Sequence, residues 1–269
     1  MTSKIEWTDE TWNPVTGCND DIISSGCTNC YARRMATRLK GRFGYPADDP
    51  FRVTFHPDRL DEPLHWKKPR HIFVSSMGDL FHGFVPLNTV HEIWDIMKAC
   101  PQHTFIVLTK RPERMREAVE MIYSKERLGW AMGFWEHVWL GVTAENQARA
   151  DERIPILLQI PAAVRFVSYE PALGPLDISQ YTRKYKEVAT PDGFGYIKQA
   201  GIDGLIAGCE SGPGRRHAET RWFRDIKNQC VSAEVPFFLK QIGCIIGDKM
   251  GPITKMPMLD GQRWDQLPG

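Results

Sequence analysis

Cys18, Cys27 and Cys30 stand within thirteen residues, in the stretch TWNPVTGCNDDIISSGCTNCY from Thr11 to Tyr31. Their spacing is C-x8-C-x2-C. Thiolates are strong metal ligands, and three in one Gly-, Asn- and Asp-bearing stretch point to a loop built around a metal or iron–sulfur centre. Four readings of the trio stand open. They are buried structural thiols, a disulfide, a structural zinc completed by a fourth ligand such as His56 or His65, and an iron–sulfur cluster. Zinc sites of the structural kind close with four ligands. Clusters are normally held by four thiolates, so three leave one iron open to a substrate or cofactor.

A second set of polar residues recurs at one place in a repeated pattern. Gly78 and Asp79 follow the apolar run His71–Ser76, and Lys110 and Arg111 follow Thr104–Thr109. Glu145 and Asn146 come after His137–Val142, and Glu170 comes after Val164–Tyr169. Cys209, Glu210 and Ser211 follow Gly204–Gly208, and Lys240 and Gln241 follow Val235–Leu239. In parallel α/β proteins the carboxyl ends of the strands gather on one face, and ligands bind there. The cysteine stretch follows a further strand candidate, Lys4–Thr8, which sets it over the same face.

The elements that must position these groups are readable from periodicity. Six near-continuous apolar runs suit parallel strands covered on both faces. Helical patterns separate most of them, as in Tyr31–Lys40, where Tyr31, Met35 and Leu39 share one face with Ala32 and Ala36 beside them. Such repetition predicts an α/β fold, either an α/β barrel or an open doubly wound sheet. The Lys4–Thr8 candidate and a short run at Phe51–Phe55 bring the expected total to about 6–8 parallel strands. Residues 178–202 read as a polar insertion. The expected organisation is a barrel over residues 1–246 and a tail, 247–269, packed on it.

Composition sets outer bounds. The chain has 269 residues, enough to bury a core without disulfides, and a formal net charge of +1, which leaves only local basic patches for nucleic acid. There is no 18-residue apolar run, no apolar signal region, and an odd seven cysteines, so the expectation is a cytoplasmic protein with no membrane partner. Lys110, Arg111, Arg215, Arg216 and Lys240 together would form a basic rim suited to a nucleotide or nucleic acid. Ser211–Arg216, SGPGRR, offers backbone amides and two arginines to a phosphate or carboxylate, or is an exposed turn. Trp7, Trp12 and Tyr169 are either core or platforms for a base.

Trp7-Thr8, Trp12-Asn13-Pro14, Gly17-Cys18 and Gly26-Cys27-Thr28-Asn29-Cys30-Tyr31-Ala32 resemble the motif of a phage-encoded three-cysteine-motif family related to radical S-adenosylmethionine (SAM) enzymes. SSMGDLFH (Ser75–His82), LTKRPERM (Leu108–Met115), WLGVTAEN (Trp139–Asn146), VSYEPALGP (Val167–Pro175), AGCESGPGRR (Ala207–Arg216) and FFLKQIG (Phe237–Gly243) carry the resemblance along nearly the whole chain. It implies a partial or complete (β/α) barrel of the radical-SAM type, with a [4Fe–4S] cluster on Cys18, Cys27 and Cys30 and SAM on the remaining iron. Reductive cleavage of SAM would start radical chemistry on a nucleotide or nucleic-acid base, as in phage DNA modification. A reductant such as flavodoxin or ferredoxin would supply the electron, in the host cytoplasm. Radical-SAM enzymes carry C-x3-C-x2-C with an aromatic before the third cysteine; here the first gap is eight residues and Tyr31 follows Cys30.

By the same resemblance, Gly78, Asp79, Thr109, Lys110, Glu145, Asn146, Glu170 and Ser211 are candidates for holding SAM. Asp79 would accept from its ammonium, unless it caps the following helix. Glu145 and Asn146 would meet the ribose, unless they open their own helix. Arg111, Arg215 and Arg216 are candidates for substrate phosphate. Cys209, Glu210 and Lys240 are the candidate catalytic residues, with Cys209 a hydrogen donor or, with Cys244, part of a second centre. The alternative is a zinc- or iron–sulfur-containing nucleic-acid-binding or partner protein that does not cleave SAM.

Overall fold

The computed structural model describes residues 5–19, 21–125, 135–182, 185–190, 193–198, 200–246 and 249–268. For the segments 185–190 and 193–198, and for Lys125, Cys244 and Ile246, it describes the backbone alone. Elements run in the order β1 (Glu10–Trp12), β2 (Val15–Thr16), α1 (Tyr31–Leu39), β3 (Thr54–Phe55), β4 (His71–Val74), α2 (Leu87–Ala99), β5 (Thr104–Thr109) and α3 (Pro112–Lys125). They continue with β6 (Val138–Thr143), α4 (Gln147–Leu157), β7 (Val164–Tyr169), β8 (Tyr185–Thr190), β9 (Gly193–Lys198), β10 (Gly204–Gly208), α5 (Thr220–Ser232), β11 (Phe237–Ile246) and β12 (Lys249–Lys255).

Eight strands form one sheet in the order β1-β4-β5-β6-β7-β10-β11-β12. The first seven pair in parallel, and β12 closes the row antiparallel to β11. Among the described residues β1 and β12 do not pair, so the sheet is open and not a closed barrel. The order never reverses along the chain. With right-handed crossovers, an unreversed order puts every connecting helix on the same face, the layout of a barrel wall. A doubly wound sheet would need a reversal, and none is present.

Alternation along the strands sorts the core into two layers. Ile72, Val74, Phe105, Val107, Leu140, Val142, Val167, Leu205, Phe237 and Leu239 pack toward α2–α5 in one large buried cluster. Their neighbours Phe73, Ile106, Trp139, Phe166, Ile206 and Phe238 form a separate cluster on the opposite face with Trp7, Ile5, Met256 and Leu267. Both faces are therefore apolar, which is why these strands read as unbroken hydrophobic runs. Gly141 makes room on the inner face, since a Cβ there would sit 2.4 Å from the Phe166 ring.

Three expectations shift. The Lys4–Thr8 alternation is not a strand in its described part; the first strand is Glu10–Trp12, while Ile5 and Trp7 cover the inner face. The run at Phe51–Phe55 does not join the sheet, because Thr54–Phe55 pairs antiparallel with Val15–Thr16 beneath the cysteine loop. The insertion within 178–202 contains a β8–β9 hairpin, and the tail supplies β12. Among the described residues no helix is long and apolar enough to cross a membrane.

Candidate active site at the carboxyl ends of the strands

The three cysteines hang over the carboxyl ends of the sheet because their loop is anchored from several directions. Gly17 donates its N–H to the Met77 carbonyl at 2.9 Å and pairs with Gly78 as an isolated parallel bridge. Its φ is +87°, and a Cβ would lie 2.2 Å from the Arg52 carbonyl oxygen, so only glycine fits. Cys18 and Asn19 both donate their backbone N–H to the Phe51 carbonyl. Cys27 ends a short 3-10 turn, Ser25–Cys27, and Cys30 immediately precedes α1.

On the other side the loop reaches the strand-end segments. Gly26 N–H donates to Glu145 at 3.2 Å. Asn29 Nδ2 donates to Glu210 at 2.8 Å and to the Gly214 carbonyl at 3.0 Å. Arg34 bridges the Asn29 and Ser211 carbonyls at 2.6 and 2.8 Å. Arg216 donates to the Ser25 carbonyl at 2.9 Å, and Tyr31 donates to the Ser76 carbonyl.

These anchors enclose a cavity of about 390 Å³, within the range of small-molecule sites. Cys18, Cys27 and Cys30 line it, as do Gly78, Asp79, Thr109, Lys110, Arg111, Glu170, Cys209, Glu210, Ser211 and Lys240. Of the expected site residues, Glu145, Asn146, Arg215 and Arg216 stand outside the lining. Asn146 caps α4, accepting from Arg149 N–H at 3.1 Å. Glu145 is wholly buried against Arg153 at 3.0 Å. Arg215 donates to the Gly251 carbonyl. The Cys244 side chain lies outside the described residues.

The expected basic rim is largely paired. Arg111 sits 3.1 Å from Asp79 and 3.2 Å from Asp21, Arg216 pairs with Glu210, and Lys240 pairs with Glu170. Asp79 is also filled: it accepts from Phe81 N–H, the Thr109 hydroxyl, Lys110 N–H and Arg111. Its carboxylate thus ties the β4 and β5 loops together. Trp12 and Tyr169 are core.

Ser168, which sequence reading passed over, and Thr143, which follows the His137–Val142 run, line the cavity. Both share parity with inward Trp139 and Phe166, a signal the period of two carries. Sequence reading also passed over Asn29 and Arg34 as anchors. Trp7 lines the cavity as well, buried to 4% exposure with its indole N–H unpartnered among the described residues.

His56 and His65 do not join the thiols. His56 is buried and hydrogen-bonds Thr16 at 2.8 Å, and His65 is exposed beside Asp61. Among the described residues no group of three His, Cys, Asp or Glu side chains is placed to hold a single metal ion. The thiols line a shared cavity instead, an arrangement compatible with a multi-iron cluster, whose thiolates each take a different iron. Burial pushes the Cys18 thiol up to about 12; Asp79 adds to this, while Arg111 and Lys110 oppose it. A metal would supply the positive charge that such a buried thiolate needs. Burial, then Glu170, raises the Cys209 thiol to about 11, so it stands protonated at neutral pH.

No curated protein and no solved structure matches this chain. A family model described as a protein of unknown function, DUF5131, matches residues 2–268, and the chain belongs to that family.

Proposed function

We propose that the chain is a radical-SAM-type iron–sulfur enzyme built on a partial (β/α) barrel. The observation that carries this reading is the shared cavity, where three thiols from one loop face polar residues from the ends of the parallel strands. Cys18, Cys27 and Cys30 would hold a [4Fe–4S] cluster with one iron open to SAM. When bound, the two groups supply an organic radical able to take a hydrogen atom from an unactivated carbon.

The protein's own share is orientation and exclusion. Trp7, Phe73 and Leu108 give the cavity an apolar wall that keeps water out. The Trp7 indole N–H is free to donate to a bound acceptor. Glu170 and Lys240 present opposite charges side by side, matching a zwitterion such as an amino acid moiety. Cys209 keeps its proton and offers an S–H within the same lining.

Anaerobic purification tests the reading. The expected product is a brown protein with about four iron and four sulfide per chain. With SAM and dithionite it releases 5′-deoxyadenosine, and C30A abolishes both colour and release. A colourless protein carrying one zinc would overturn the proposal in favour of a zinc-dependent binding protein. A full cluster without SAM cleavage would favour a redox or partner role.

A further inference from the structure

The cations expected at the cavity mouth are mostly neutralised, but a second set is not. Between Tyr31 and Ala47 the chain carries Arg33, Arg34, Arg38, Lys40 and Arg42 and no acidic residue, in a protein of net charge +1. Helix α1 buries Ala32 and Ala36 against Tyr45 and Phe51. Arg34 is engaged in anchoring the cysteine loop, and Arg33 lies over the Phe51 ring at 5.6 Å.

Arg38, Lys40 and Arg42 remain, all exposed. None pairs with a carboxylate among the described residues, and Arg42 donates to the Arg38 carbonyl, which holds those two together. Phe43 follows directly. It is 71% exposed, its φ is +51°, and Arg59 donates to its carbonyl. The ring therefore stands outward beside cations that carry no carboxylate partner among the described residues.

From these observations we infer that the face formed by Arg38, Lys40, Arg42 and Phe43 docks single-stranded nucleic acid. The three cations would track phosphates and Phe43 would stack on a base, the combination that single-strand binders use. An acidic protein would also satisfy the charges; the outward ring beside them favours a base, and the acidic protein is the rival outcome of the test below. The site lies close to the proposed chemistry. Arg38 is eight helical residues from Cys30, about 12 Å along the axis. The inference rests on the enzyme reading only in making this strand the substrate; the surface itself stands without it.

The test is fluorescence anisotropy of the full chain with a labelled 20-nucleotide single strand, as DNA and as RNA of one sequence, across a salt series. The triple variant R38E/K40E/R42E is expected to bind at least about tenfold more weakly, with a log–log salt slope smaller by about 2. F43A is expected to lose about tenfold in affinity with the slope unchanged. Wild-type binding that neither change weakens would overturn the inference. So would failure of both strands to bind at low salt, including the case where an acidic electron-carrier protein binds the same face. Iron is assayed on the same wild-type sample. Iron-free protein that binds the strand through this face would sink the enzyme reading and leave the surface standing.

Discussion

The buried carboxylate of Glu145 accepts the backbone N–H of Gly26 at 3.2 Å, joining the end of β6 to the middle of the cysteine loop. Its other oxygen meets Arg153 at 3.0 Å, and both side chains are almost fully removed from water. Arg153 also donates to the Thr143 carbonyl at 2.7 Å. Breaking one partner of a buried ion pair leaves a charge without compensation, typically at about 3–5 kcal/mol. E145Q should therefore lower unfolding free energy by about that amount in urea titration, although it keeps an acceptor for Gly26. A loss within about 0.5 kcal/mol, the size of an ordinary surface change, would mean that the pair does not brace the loop.

Gly17 offers a backbone test of the same anchor. G17A places a methyl 2.2 Å from a carbonyl oxygen at a φ of +87°, so two penalties combine. The expected cost is about 2–4 kcal/mol, read as a drop in the denaturant midpoint. Gly83 is the control: a Cβ there meets nothing within 4 Å, and G83A should stay within about 0.5 kcal/mol of wild type. Equal effects from the two would remove the argument for a tightly docked loop.

Much of the sheet was legible because its strands are covered on both sides. Thr104–Thr109, Val164–Tyr169 and Gly204–Gly208 stand where their apolar runs predict. The first strand was not legible, since three residues containing Glu10 carry no pattern, and Glu10 is held in place by Arg70 from 60 positions away. The β12 strand is an exposed edge containing Pro252, so neither face leaves a hydrophobic signature. The cavity lining was largely readable from the polar residues that close each apolar run. Its charge balance was not: Lys240 meets Glu170 across 70 residues and Arg111 meets Asp21 across 90, and such pairings are set by topology.

His56 predicts how the segment under the loop responds to acid. Burial is the main cause of its depressed basicity, with Arg59 second and Asp58 opposing, and its pKa falls from 6.5 to about 4. The unfolded chain takes up a proton near 6.5 while the folded one refuses it until about 4. Stability should accordingly decline as pH falls through that window and level off below it. In H56Q, which keeps a polar partner for Thr16, this part of the decline should be absent. The readout is the difference in urea midpoint between the two proteins from pH 7 to pH 4. Parallel curves would show that His56 titrates the same in both states.

Trp7 separates folding from binding. Its ring packs 4.8 Å from Phe73, but its N–H is buried at the cavity with no partner among the described residues. An unsatisfied buried donor costs about 1–3 kcal/mol, which a ligand acceptor would recover. W7F keeps an aromatic body and removes the donor. The ligand-free variant should unfold at the same denaturant concentration as wild type or a higher one, apart from any loss from the smaller ring. On the proposed radical-SAM reading, its affinity for SAM, measured calorimetrically on cluster-loaded protein, should fall by about tenfold, one lost hydrogen bond's worth. A variant that binds SAM as tightly as wild type would show that the indole N–H does not face the ligand. Trp7 would then be only the plug of the inner face.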